Sequence, residues 1–162
     1  MIIRPLTDDD LPFLRRMLDA AAFWRSSLPW RLAKPPLRLL FRNYLALYHS
    51  GWGRDGDLGL VAEIDGVPVG AVWYRFFTDA SHGDGYIDDE TPELAIAVVD
   101  GHRGQGIGRA LLEAIAAEAR ERGVRRIGLS VDHDNPAKRL YAAVGYRELE
   151  PGTTDDRMVL EL

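Results

Sequence analysis

The stretch Val98-Val99-Asp100-Gly101-His102-Arg103-Gly104-Gln105-Gly106-Ile107-Gly108-Arg109 limits what this chain can fold into more than any other. An apolar run at 94–99 enters it, and a helical pattern over 110–122 leaves it. That is a strand, a tight glycine loop and a helix start. Glycines at positions 104, 106 and 108 let the backbone turn sharply and leave its N–H groups uncovered by side chains. Those groups meet the positive end of the next helix, which suits an anion, most naturally a phosphate or pyrophosphate. Arg103 and Arg109 flank the turn and add full charges. The dinucleotide fingerprint G-x-G-x-x-G begins at Gly104 and Gly106 but meets Arg109 where its third glycine belongs. No stretch fits the nucleotide loop G-x-x-x-x-G-K-[ST].

Size and composition narrow the partners. At 162 residues, 46% hydrophobic and 28% charged, the chain suits one globular domain over 1–162. A net charge of −5 speaks against a nucleic-acid partner. There is no cysteine, so disulfides, thiolate metal sites and a cysteine nucleophile are excluded. The N-terminus does not read as a signal peptide, and no apolar run reaches membrane-spanning length. A cytoplasmic location is expected, with no membrane partner and no metal.

Element order follows from periodicity and punctuation. Residues 2–4 form a short strand, and Thr7-Asp8-Asp9-Asp10 opens a helix with Leu11, Leu14, Leu18 and Ala21 on one face. An irregular aromatic and basic stretch follows: Phe23, Trp24, Arg25, Pro29, Trp30 and Arg31. Pro35-Pro36 then opens a second helix carrying Leu37, Leu40, Phe41, Tyr44, Leu45 and Tyr48. Strands at 58–64 and 67–77 are joined by the hairpin turn Asp65-Gly66. An acidic loop at 78–92 leads into the strand at 93–99. After the glycine loop come a helix burying Ile107, Leu111, Ile115 and Ala119, a strand at 126–131, a short helix to 144, and two final strands at 146–149 and 157–162. This order is not a regular alternation of strand and helix. It implies an α/β protein of the mixed-sheet kind, with helices on both faces.

Two motifs carry a family resemblance. Arg103 to Gly108 reads R-x-x-G-x-G, and the segment Asn135-Pro136-Ala137-Lys138-Arg139-Leu140-Tyr141-Ala142-Ala143-Val144-Gly145-Tyr146 is similar to A-x-x-L-Y-x-x-x-G-[FY] preceded by asparagine. Asn135 stands one residue too close to Ala137, and Asp134 holds the usual place. The chain resembles the GNAT superfamily of N-acetyltransferases. The resemblance implies the GNAT fold: a central mixed sheet of six or seven strands, splayed between the fourth and fifth. It implies acetyl-CoA in that gap as cosubstrate, with no metal. Arg103, Gly104, Gln105, Gly106, Ile107, Gly108 and Arg109 would hold the pyrophosphate. Backbone groups of Ala97 and Val98 would pair with the pantetheine, and Asn135 would be a further contact. Many relatives are homodimers, and Met158-Val159-Leu160 is apolar enough to pair.

The expected activity is acyl-CoA-dependent N-acetylation of a primary amine on a small molecule or peptide, by direct attack within a ternary complex. The alternative is a CoA-binding sensor without turnover; a different phosphate ligand, such as a nucleotide, is a third reading. Amine attack needs a base, a donor for the oxyanion and an acid for the departing thiolate. By resemblance, the phenol of Tyr141 is the acid and an N–H near Val98 serves the oxyanion. Glu93, or Glu90 just before it, is the expected base, directly or through water. Ser130 stands where some relatives carry a glutamate. His49, His82, His102 and His133 lack metal spacing and read as polar loop residues. Trp24, Trp30, Tyr44, Tyr48 and Trp52, with carboxylates nearby in sequence, would suit a cationic acceptor.

Overall fold

The structure is a computed structural model, and it describes residues 1–24, 42–151 and 154–162. Strand β1 (Ile2–Pro5) is followed by a 3-10 turn (Asp8–Asp10) and helix α1 (Leu11–Ala22). Residues 42–46 are helical. Strands β2 (Leu58–Ile64), β3 (Val67–Arg75) and β4 (Glu93–Val98) precede helix α2 (Ile107–Glu121). Strand β5 (Arg126–Asp132), helix α3 (Ala137–Ala143), β6 (Arg147–Pro151) and β7 (Asp155–Glu161) complete the order. Arg25, Pro29, Trp30, Arg31, the Pro35-Pro36 helix start, Leu37, Leu40 and Phe41 lie outside the described residues.

The seven strands among the described residues form one sheet in the order β1-β2-β3-β4-β5-β7-β6. The β2–β3 hairpin turns through Asp65 (φ 52°) and Gly66 (φ 77°), two left-handed residues that match strand twist. The pleat divides the sheet into two cores. Leu60, Ala62, Val72, Tyr74 and Leu94 face α2, with Leu111, Ile115 and Ala119 packed on them. Val61, Ala71, Trp73 and Ala97 face the other way, against Phe13, Leu14, Met17 and Leu18 of α1. Helices therefore cover both faces, as the element order implies.

β4 and β5 are parallel and share one register pair, Glu93↔Gly128, with Gly128 N–H donating to Pro92 O at 2.9 Å. β5 instead pairs with β7 along its whole length, from Arg126↔Glu161 to Asp132↔Asp155. Beyond Glu93, the β5-facing edge of β4 has no strand partner among the described residues. This is the splayed gap, and Glu93 stands at its closed end. Met158, Val159 and Leu160 are buried between β5 and β6. Their apolarity serves the sheet interior, and the outer edge of the sheet is β6.

Candidate active site

The glycine loop leaves β4 and enters α2 at Ile107, the first residue of the apolar face that continues through Leu111, Ile115 and Ala119. Gly108 counts against helix by propensity, yet it is helical because of what it packs on. A Cβ there would meet Leu140 Cδ2 at 3.1 Å, so Gly108 seats α2 against α3. Gly104 (φ 76°) and Gly106 (φ 83°) do different work. Both are left-handed, and a Cβ on either meets nothing within 4 Å among the described residues. These two shape a backbone open on its outer side. Gly106 is the N-cap of α2, so the loop's N–H groups sit at the helix dipole's positive end. Ile107 is a core residue and offers the site only its backbone. Arg103 and Arg109 are exposed: Arg103 Nε donates to Val98 O at 3.2 Å, and Arg109 lies 3.5 Å from both Glu113 and Ala143 O. Gln105 Nε2 closes the turn on Gly101 O at 3.1 Å.

Val99 N–H donates to Val69 O at 2.9 Å. Backbone direction alternates along an antiparallel ladder, so Ala97 turns its N–H and C=O toward β3. Val98 turns its own toward the gap. Of the two residues expected to pair with a cofactor, Val98 is the one whose backbone faces it.

Glu93 is 3% exposed. Its Oε1 accepts Tyr48 O–H at 2.6 Å and Gly85 N–H at 2.9 Å, while Oε2 is buried with no partner among the described residues. Burial pushes the carboxyl up to about 7, against the pull of those two hydrogen bonds, and the nearby Asp84 charge pushes the same way. Glu90, the other expected base, is exposed, and its backbone N–H bonds to Asp88. The acidic loop wraps Glu93 closely. A Cβ at Gly83 would fall 1.8 Å from Tyr48 Oη, and one at Gly85 would fall 2.8 Å from Glu93 Oε1 and 2.7 Å from Ser130 N. Side chains at 83 and 85 would displace the carboxylate or its partner.

Tyr48 is itself held by the fold. Its carbonyl accepts Trp73 Nε1–H at 3.1 Å. Arg75, fully buried, grips Asp57 through two bonds of 2.9 Å and donates to the carbonyls of Leu47, Ser50 and Gly51 at 2.9–3.0 Å. Every guanidinium donor is used, and the segment that carries Tyr48 is fastened to β3. Sequence reasoning missed Arg75 and Asp57; the signal was an arginine ending a long apolar strand.

Tyr141 lies buried in α3, its ring 5.8 Å from that of Tyr146. Burial alone pushes its phenol up to about 12, so it is protonated at neutral pH. Asn135 Oδ1 accepts Ala137 N–H at 2.9 Å, so its side chain starts α3. Ser130 lies against Gly85. His133 pairs with Asp156 at 3.2 Å, and His82 stacks on Tyr86 at 4.3 Å. Trp24 Nε1–H donates to Asp132 at 2.6 Å, tying the end of α1 to the end of β5. Among the described residues, no group of three or more His, Asp or Glu is placed to hold a metal ion.

The family model described as "Acetyltransferase (GNAT) family" matches residues 18–146. The chain belongs to this family. Within GNAT proteins, it is 33% identical over 124 residues to the L-2,4-diaminobutyric acid acetyltransferase of Nocardia farcinica, covering 73% of this chain and 58% of that one. It is 37% identical over 87 residues to the mycothiol acetyltransferase of Thermobispora bispora, covering 53% of this chain and 28% of the relative. The chain thus spans little over half of the first relative's length and under a third of the second's. The crystal structure of the ribosomal-protein-alanine N-acetyltransferase from Brucella melitensis matches all of both chains at TM-score 0.69 and 27% identity. The GNAT domain of S. lividans PAT matches 99% of this chain and 89% of its own at TM-score 0.71 and 26% identity.

Proposed function

We propose that this GNAT protein is an N-acetyltransferase that moves an acetyl group from acetyl-CoA to a primary amine by direct attack in a ternary complex. The carrying observation is the β4–β5 gap. It has a left-handed glycine loop outside its open end and, at its closed end, a buried glutamate with one oxygen unpartnered among the described residues. The residues fit coenzyme A. The open outer side of Gly104 and Gly106 makes a cradle for a diphosphate, with Arg103 and Arg109 beside it. Val98 presents its backbone toward the gap, and Gln105 and the Ile107 N–H complete the loop. Ala97 and Asn135 spend backbone and side chain respectively inside the fold, so they act as scaffold for their neighbours. When bound, acetyl-CoA supplies an acyl group already activated as a thioester.

The chain's own groups do the rest. Glu93 Oε2 accepts a proton from the acceptor's ammonium, which leaves a neutral amine to attack. A carboxyl near 7 is matched to that task at neutral pH, because it is ionised in about half the molecules yet still basic enough to accept a proton. Val98 N–H donates to the oxygen on which charge develops. Tyr141 Oη gives its proton to the departing sulfur, and the second proton that the nitrogen loses on becoming an amide restores the phenol. The acceptor is a cationic primary amine, a small molecule or a peptide N-terminus, drawn by Glu93 and the acidic 78–92 loop. A cytoplasmic location and a homodimer along the outer β6 edge are part of the same reading.

Thiol release from acetyl-CoA, measured over L-2,4-diaminobutyrate, an alanine-terminated peptide, spermidine and an aminoglycoside, tests it. Release with at least one amine, lost in Glu93→Gln, is expected. Tight CoA binding without release for any amine would favour a sensor instead.

A further inference from the structure

A base at the closed end of a gap must discard its proton after each turnover. Glu93 is 3% exposed, and its Oε1 is enclosed by Tyr48 and Gly85. Behind it runs a line of oxygen atoms. Tyr48 Oη lies 2.6 Å from Glu93 Oε1, Tyr44 Oη lies 3.3 Å from Tyr48 Oη, and Asp84 Oδ2 lies 2.8 Å from Tyr44 Oη. Asp84 is exposed, and its backbone N–H donates back to Tyr44 Oη at 3.2 Å, which fixes that phenol. The line starts at the buried carboxylate and ends at one in water. Resting on the reading of Glu93 as the base, we propose that Tyr48, Tyr44 and Asp84 are the route by which the proton taken by Glu93 reaches solvent.

In the resting arrangement each phenol has one hydrogen and gives it away from the other phenol, Tyr48 to Glu93 and Tyr44 to Asp84. The contact between the two phenols then carries no hydrogen, and the route is open-circuit. Protonation of Glu93 reverses this. The glutamate's last torsion is soft, and a half-turn presents its O–H to Tyr48 Oη. Tyr48 then swings its own hydrogen onto Tyr44 Oη. Transfer is four hops of three protons: Glu93 to Tyr48, Tyr48 to Tyr44 and Tyr44 to the Asp84 carboxylate, which then passes that last proton to water. One proton leaves, Glu93 is a carboxylate again, and neither phenol is ever charged. Burial pushes both phenols upward, so a stepwise route through a phenolate is closed and the hop is concerted. Tyr44 and Tyr48 touch no substrate in this scheme; both act through Glu93.

The groups that face Glu93 are Tyr48 from the segment before β2, and His82 and Asp84 from the 78–92 loop. The test therefore needs a readout at each phenol. In protein labelled with 13C at tyrosine Cζ and glutamate Cδ, resonances are followed from pH 5.5 to 8.5. The expected result is that Glu93, Tyr48 and Tyr44 move with one midpoint. Tyr44 then stops moving in Tyr48→Phe, and both phenols are flat in Glu93→Gln. A titrating Glu93 with a flat Tyr44, or a Tyr44 that still moves in Glu93→Gln, overturns the route and leaves Glu93 as base intact. A Glu93 that does not titrate in this range removes the base and the route together. In turnover with the fastest of the four amines above, Tyr44→Phe lowers kcat at least about tenfold at unchanged KM. Added imidazole restores it by taking the stranded proton. Wild-type kcat in Tyr44→Phe, or a loss that imidazole does not mend, counts against the route.

Discussion

Replacing Glu93 by glutamine separates what the residue costs the fold from what it contributes to the site. Its carboxyl titrates near 7 in the folded chain and at an ordinary 4.5 when unfolded. Between those values the folded state binds the extra proton, so stability falls as pH rises through the window. From pH 5 to pH 8 the wild type should lose about 2–3 kcal/mol from this group alone. Glutamine has no such titration. The variant also places an unpaired N–H where Oε2 is, but that cost is the same at every pH and cancels in the comparison. For a chain of this size the wild-type minus variant difference in Tm should shift by about 5–10 °C across the range, in favour of the variant at high pH. Scanning calorimetry of both proteins at pH 5 and pH 8 reads it, while thiol release with amine is lost in the variant. A Tm difference that does not change with pH would mean the carboxyl is not held near 7, and the choice of base would go with it.

Other changes have equally definite outcomes. Arg75→Leu leaves the Asp57 carboxylate buried without its cation, so stability should drop by about 3–5 kcal/mol in urea denaturation; an exposed-type loss under 1 kcal/mol would contradict the fastening role. Tyr141→Phe should lower kcat by roughly 10²-fold while CoA affinity by calorimetry stays unchanged, and undiminished kcat would remove it as the acid. Gly85→Ala pushes a methyl into Ser130 N and Glu93 Oε1. It should cost about 1–3 kcal/mol of stability and shift the activity–pH curve, and a variant with native melting and an unmoved curve would contradict the tight wrap.

Much of this arrangement can be read in the sequence because its signals are local. The loop at 101–108 declares itself by glycines, and the α2 face by apolar residues at every fourth place. The parallel neighbour of β4 follows from element order plus resemblance. What escapes is whatever depends on two distant segments meeting. Nothing near Glu93 in sequence marks it as buried; that comes from Tyr48, forty-five residues earlier, and from a loop whose glycines look like ordinary turn residues. Arg75 ends a strand of apolar residues, and only the fold shows its donors spent on the carbonyls of 47–51 and on Asp57. Gly108 opposes helix locally, and only the fold shows that a Cβ there would crowd Leu140. Likewise the apolar Met158-Val159-Leu160 looks like a pairing surface until β6 is seen to cover it.

The proposed grip of the 103–109 backbone N–H groups on the diphosphate of coenzyme A is probed by Gly106→Leu. A Cβ at Gly106 meets nothing within 4 Å among the described residues, so the protein should stay folded, with the strain of a left-handed residue at about 1–2 kcal/mol. Gly66→Leu, at the left-handed tip of the β2–β3 hairpin and equally open, carries the same strain away from the site. Calorimetric titration with CoA should show at least about a tenfold weaker Kd in Gly106→Leu, or about 1.4 kcal/mol, and a native Kd in Gly66→Leu. Equal, native affinities in both variants would contradict the claim.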